Sequence, residues 1–276
     1  MRDLWVSRRN GYRRRGTSVL ELRELFMFGI TASSINEPLQ SCIYEDDAIS
    51  ILNKMDKLYF NTMGIKKSND EPVIGYINSS ELTKGKCGSF THKFQLSDLI
   101  SNSTPLIEVL HILREKQHVF VLSGNSVDSI ITRADLQKPP VRIMLFGLIT
   151  LLEMHLTHHI RKFYTDKELR TKLSPDRIEK AEHLMNMRIE RNERLGFMDC
   201  LQFCDKRELV LSSDKIRNVF GFESKSAGSK ILEDVESLRD KLAHSQDIVS
   251  GTTWGDIIDL SGNIEKLIQS SEEHIK

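Results

Sequence analysis

Apolar and polar positions follow two different rhythms along the chain, and the change between them falls near residue 140. Residues 17–30 place Leu20, Leu25 and Phe28 near one side of a helix, with Thr17 or Ser18 as its N-cap. After Gly29 and a polar stretch ending at Pro38 the apolar runs become short. Residues 39–44 are strand-like, and Asp46 and Asp47 put acids at the positive end of a helix over residues 48–55. Residues 59–66 and 72–78 are two further apolar runs, divided by a polar turn. The cycle then returns. Residues 96–100 read as a strand and Pro105 starts a helix running to about Glu115. Residues 119–122 and 129–132 are strands split by Gly124 and Asn125. Two passes through strand, helix, strand, turn and strand predict an internal duplication.

Pro139-Pro140 predicts a helix stop and the joint between domains. Beyond it Val141, Leu145, Leu148, Leu152, Leu156 and Phe163 form a helical stripe. Residues 176–194 read as a strongly charged helix with a solvated Arg191–Arg194 end, and residues 197–209, 230–243 and 254–268 as further helices. Residues 221–228 read as a loop. The expectation is an α+β chain in three parts: a basic arm and helix (1–30), an αβ module (31–140), and an all-α bundle of four or five helices (141–276).

Composition narrows the function classes. At 276 residues the chain can bury two cores, and 39% hydrophobic with 28% charged residues excludes a disordered polymer. The net charge of zero excludes an overall basic field, although Arg8, Arg9, Arg13, Arg14 and Arg15 crowd the start with only Asp3 against them. Such a run is either a solvated arm or a phosphate-contacting one. Those arginines also replace the apolar stretch a secretory leader needs. The apolar pattern at 141–163 is broken by Arg142, Glu153 and three histidines, so no membrane span is expected. Cys42, Cys87, Cys200 and Cys204 are too scattered for a disulfide framework, which suits a reducing cytoplasm.

Both cycles end alike, in Gly75-Tyr76-Ile77-Asn78-Ser79-Ser80-Glu81-Leu82 and in Ser129-Ile130-Ile131-Thr132-Arg133-Ala134-Asp135-Leu136. A strand delivering Thr, with Asp three residues on opening a helix, resembles the end of a CBS (cystathionine-β-synthase-like) motif. Residues 31–140 are similar to a tandem CBS module, which implies an adenine nucleotide as regulatory ligand. The resemblance gives Asp135 the ribose hydroxyls, Thr132 the ribose or phosphate, and Arg133 the phosphate. Without ligand, Thr132 and Asp135 would cap the helix. In the first copy Asn78 and Glu81 replace the Thr and Asp, which puts that site in doubt.

Arg239-Asp240-Lys241-Leu242-Ala243-His244 pairs a fixed cation with a group that exchanges a proton near neutral pH. The hexapeptide is the RxxxxH pattern, and residues 141–276 resemble a HEPN domain. The resemblance implies a metal-independent endoribonuclease, with RNA as substrate and no cofactor for catalysis. His244 would act as general base or acid, Arg239 would neutralise the phosphorane, and Asp240 would orient or polarise the site. Residues five apart on an ideal helix lie about 140° and roughly 7.5 Å apart. Either the helix loosens near Ala243, or the Arg side chain sweeps across, or two subunits of a homodimer share one cleft. His155 and His159 have metal-ligand spacing, but with no third ligand they read as helix-surface histidines, so no metal site is expected. Cys200 and Cys204 read as half-buried residues one helical turn apart, and Glu153 either faces the cleft of the RxxxxH residues or, as the plainer reading, faces water.

The expectation is a cytoplasmic, nucleotide-regulated ribonuclease. Stress response or antiviral defence and an inhibitory partner protein are further implications of the resemblance. The alternative is a non-catalytic nucleotide-sensing regulator or scaffold.

Overall fold

The computed structural model describes residues 19–191, 193 and 196–275; the arginine run and the Thr17 or Ser18 cap lie outside them. The chain divides into two compact units. One is Ile30–Val141, and the other comprises the helix before it and the segment from Arg142 onward.

The Ile30–Val141 unit is an α+β duplication. Its first sheet has the order β2 (Ser41–Ile43), β3 (Thr62–Lys66), β4 (Gly75–Asn78), with β2 parallel to β3 and β3 antiparallel to β4. The second has the order β1 (Glu37–Pro38), β7 (Ser126–Thr132), β6 (His118–Ser123), β5 (Leu99–Ser101), with β5 parallel to β6 and the others antiparallel. Helices α2 (Ala48–Leu58) and α3 (Leu106–Glu115) connect the parallel strands. Asp47 caps α2 by accepting from Ser50 N at 2.9 Å, and Ala48, Ile51 and Met55 turn inward at helical spacing.

Each repeat supplies the segment that completes the other. Strand β1, ahead of the first repeat, pairs Glu37 with Ile130 in the second sheet. His92, ahead of the second repeat, exchanges backbone hydrogen bonds of 2.8 and 2.9 Å with Tyr76 in the first. Gly75 makes this approach possible, because a Cβ there would strike the His92 carbonyl. Residues 96–98, expected in a strand, form a 3-10 turn before β5.

The other unit is helical. Helix α1 (Val19–Phe28) is tied by an Arg23–Glu272 ion pair of 2.6 Å to α10 (Trp254–Glu273). Between them come α4 (Pro139–Phe163), α5 (Asp166–Lys172), α6 (Pro175–Glu190), α7 (Phe203–Leu211), α8 (Asp214–Val219) and α9 (Lys225–Ala243). The bundle therefore has more helices from residue 139 onward than the four or five expected. Helices α5 and α8 escape sequence reading because segments of seven and six residues show too little of a 3.6-residue period.

Other expectations are corrected. Pro139-Pro140 opens α4 rather than stopping a helix, since the first helical positions need no N–H partner. The expected loop at 221–228 is partly helix. Gly221, with φ of 67°, ends α8, but Gly228 sits inside α9 where the Leu211 and Phe222 side chains leave little room for a Cβ. Cys200 lies in a 3-10 turn and Cys204 in α7, so they do not share a helix. Helix α4 has the length and apolarity to cross a bilayer, with mean hydropathy 1.3, yet Met144, Leu145, Leu148, Leu151, Leu152, Leu156 and Ile160 are buried in the bundle.

His155 and His159 are also buried, not surface residues. His155 Nδ1 and His159 Nε2 each lie 2.8 Å from Ser271 Oγ on α10. The hydroxyl has one proton, so with neutral rings it donates to one and accepts from the other. Burial, with neighbouring cations adding, pushes both rings from 6.5 down to about 4. The unfolded rings bind protons first, so this stabilisation is complete above pH 6.5 and is lost as pH falls toward 4. Unfolding free energy by urea titration should fall between pH 6.5 and 5, before carboxylates titrate, by about 1.4 kcal/mol per pH unit for each ring. His118 and His158, also shifted down by burial, contribute in the same direction. His159→Gln, which keeps a hydrogen bond to Ser271 but takes no proton, should reduce the slope by about one ring's share. An unchanged slope would show that the pair is not the source.

Candidate functional site

Strand β7 ends at Thr132, and a 3-10 turn, Arg133–Gln137, follows before α4. The turn replaces the expected helix opened by Asp135. Asp135 Oδ2 accepts from Thr132 N at 2.7 Å and from Thr132 Oγ1 at 2.8 Å. Its Oδ1 lies 2.9 Å from Lys138 Nζ. Lys138 also donates to the Ile35 carbonyl and pairs with Glu37, the residue brought into this sheet by β1. Burial opposes the charge on Lys138, but Glu37 and Asp135 more than offset it and hold the ammonium above its ordinary value. The fold thus brings Thr132 and Asp135 together and engages both carboxylate oxygens.

Arg133 turns elsewhere. Its Nε and Nη2 donate to the Leu113 and Arg114 carbonyls at 3.0 and 3.1 Å, closing the end of α3. In the first repeat Asn78 Nδ2 donates to Glu81 Oε1 at 3.3 Å, and Glu81 Oε2 pairs with His92. That pair holds the Glu81 carboxyl below its ordinary value, with the His92 hydrogen bond as the main cause. Both acids therefore face the exchanged segment, Asp135 through Lys138 to Glu37 and Glu81 directly to His92.

The RxxxxH residues lie where α9 ends. Leu232, Val235, Leu238 and Leu242 bury one stripe of α9, leaving Arg239 half-exposed. Arg239 Nη1 lies 3.4 Å from Asp240 Oδ1, and Arg239 Nε lies 3.8 Å from Glu153 Oε2 on α4. Glu153 also takes a 2.7 Å ion pair from Lys206, a buried lysine of α7. Glu153 thus lies beside Arg239, the first of its two readings, rather than facing water. No spacing rule links residues 153, 206 and 239, and only the packing of three helices joins them.

The helix stops at Ala243, so His244 is its C-cap and not part of the ideal helix on which the 140° separation was reckoned. Ser245 adopts a left-handed φ of 53°. Ser245 N donates to the Leu242 carbonyl at 3.3 Å and Gln246 N to the Lys241 carbonyl at 2.9 Å, the bonding pattern of a Schellman cap. Arg142 braces the same turn, donating from Nη1 to the Gln246 carbonyl at 3.0 Å and from Nη2 to the Lys241 carbonyl at 3.4 Å. The His244 side chain is exposed and its ring has no hydrogen-bond partner among the described residues. Arg239 and Asp240 are in contact, and among the described residues no hydrogen bond or ion pair joins the His244 ring to either side chain. No group of three His, Cys, Asp or Glu suited to a metal occurs among the described residues.

No protein-family model matches the chain, and no curated protein matches it in sequence. Solved CBS-domain structures match part of it. CBSX2 (a CBS-pair protein of Arabidopsis thaliana) in complex with AMP has 15% identity and TM-score 0.36, covering 42% of this chain and 98% of its own. The CBS domain of a bacterial CNNM/CorC family Mg2+ transporter in complex with ATP has 13% identity and TM-score 0.35, covering 45% and 94%. CbpB in complex with c-di-AMP has 14% identity and TM-score 0.37, covering 47% and 95%.

The Asp135 carboxylate closes a turn and anchors Lys138 through protein contacts alone. Asp135→Asn should therefore lower unfolding free energy by about 1–3 kcal/mol in ligand-free protein, the range for disrupting a buried hydrogen-bonded group. Denaturant titration checks this, and unaltered stability would mean that the cap contributes nothing.

Proposed function

We propose that the chain is an adenine-nucleotide-regulated, metal-independent endoribonuclease whose reacting groups are Arg239 and His244. The observation that carries this reading is the contrast between the two. Arg239 is held by Glu153 and Asp240, while His244 is fixed by its backbone with the imidazole free. In the proposed reaction the RNA 2′-oxygen attacks the adjacent phosphorus and the bond to the 5′-oxygen breaks. The products are a 2′,3′-cyclic phosphate and a 5′-hydroxyl. One proton leaves the 2′-hydroxyl and another reaches the departing 5′-oxygen. A single His244 serves one transfer at a time, so a homodimer placing a second His244 across the phosphate supplies both roles. Arg239 neutralises the crowded phosphorane and Asp240 orients it.

The regulatory half of the proposal rests on the duplicated fold of Ile30–Val141 and on the Thr132–Asp135 motif. An adenine nucleotide would bind at the second repeat and shift the balance between states of the dimer through unequal affinity for them. A cytoplasmic role in stress or antiviral defence, with an inhibitory partner protein, suits such an enzyme. A second reading, a non-catalytic regulator or scaffold, is favoured by one feature: Asp135 and Arg239 already have protein partners.

Purified protein incubated with total RNA and EDTA should yield cyclic-phosphate ends. His244→Ala should lower the rate by about 100-fold or more, the scale of general acid–base catalysis, with the fold intact by circular dichroism. Parental cutting by that variant would remove His244 from the mechanism.

Calorimetry should detect one of AMP, ADP, ATP or c-di-AMP. Asp135→Ala should weaken that binding by about 1.5–3 kcal/mol, the worth of hydrogen bonds to a charged group. Heat from none of the four, or equal affinity in the variant, would count against the nucleotide site.

A further inference from the structure

We infer that Arg142 is the positioning residue for His244, a role that rests on the ribonuclease reading. The two carbonyls it binds belong to Lys241 and Gln246, three residues before His244 and two after it. One planar guanidinium therefore spans the turn at whose centre the imidazole is mounted. The turn needs such a brace. Its Gln246 carbonyl lies beyond the helix, where no helical N–H reaches it, the Lys241 carbonyl is otherwise held by Gln246 N alone, and Ser245 holds a left-handed conformation unfavourable for a residue with a Cβ. Without Arg142 the Gln246 carbonyl is left to water, and the turn around His244 is held by its two cap bonds alone, which open more readily. The rest of the loop has its own anchors. Lys241 Nζ donates to the Ser250 carbonyl at 2.6 Å, Asp247 Oδ1 accepts from Val249 N at 3.1 Å, and Ile248 is buried. Loss of Arg142 is thus a local loosening rather than an unfolding. Arg142 acts on the reaction through backbone geometry; its guanidinium is turned to these carbonyls.

The test uses full-length protein with Arg142→Ala and Arg142→Lys. Amide hydrogen exchange at Ser245 and Gln246 should quicken in both variants, because a lysine ammonium lacks the fork that bridges two carbonyls. With RNA as substrate, kcat should fall about 10- to 100-fold with KM nearly unchanged, the scale expected of a small misplacement of a reacting group. Added guanidinium ion should restore part of the Arg142→Ala rate and none of the His244→Ala rate. Full activity in Arg142→Lys, or a change confined to KM, would mean that Arg142 serves as a charge for RNA, and would overturn the positioning role. Unchanged exchange at Gln246 would overturn the brace itself. A parental protein that cuts no RNA would overturn the ribonuclease reading, and the catalytic role of Arg142 with it. That outcome is distinct from a cutting enzyme indifferent to residue 142.

Discussion

One edge of each sheet in the Ile30–Val141 unit is covered by a segment from outside its repeat, and that cover determines what surrounds both candidate nucleotide-binding acids. A small sheet presents rows of unpaired N–H and C=O groups, and burying them unpaired costs more than any single side-chain contact returns. The repeats meet this by exchange, β1 completing the second sheet and His92 the first. Exchange has a chemical consequence. It sets Glu37 beside Lys138 and so fixes the cation that pairs with Asp135, and it sets His92 against Glu81. Pseudo-symmetric backbones thus surround the two acids with different chemistry, a lysine bridge in one repeat and an imidazole in the other.

Helix α4 plays the corresponding part in the bundle. Its buried side chains lie on several sides, so neighbouring helices pack around it. Glu153 follows Arg142 by eleven residues, close to three full turns, so both project from nearly the same face. Arg142 holds the turn around His244, and Glu153 holds Arg239 one helical turn and a half earlier in α9. The five-residue spacing that looks awkward on a lone helix is read by α4 as two separate attachments. Lys206 makes the second attachment stiff. A buried ammonium without its carboxylate would carry a large desolvation cost, so Glu153 is not free to swing away.

Much of this was legible in the sequence, and the exceptions share a cause. The repeated cycle, the acids that open α2 and the apolar stripe on α4 are encoded within a few neighbouring residues, where periodicity and turn chemistry operate. The tethers were not legible, because Arg142 and Gln246 are far apart in sequence, as are Glu153 and Arg239. His155 and His159 were misread because their burial depends on Ser271, more than a hundred residues away. Among these tethers Lys138 carries a local signal, lying three residues after its partner Asp135.

The partners of Asp135 bear directly on how a nucleotide could bind. A carboxylate has about four acceptor positions, two on each oxygen. Thr132 occupies both positions on Oδ2, through its N–H and its hydroxyl, and Lys138 occupies one on Oδ1. One position remains, whereas a ribose held by both hydroxyls needs two. On the proposed reading, ligand entry therefore requires the Thr132 hydroxyl to turn or Lys138 to let go. A turned hydroxyl could donate to the ligand instead, and a released ammonium could follow a phosphate. Either way a protein hydrogen bond is exchanged for a ligand one, and only the difference appears as affinity. A ligand that displaces Lys138 also frees Glu37, the residue that β1 brings across from the start of the first repeat. The exchanged strand is therefore the part of this unit best placed to register what occupies Asp135.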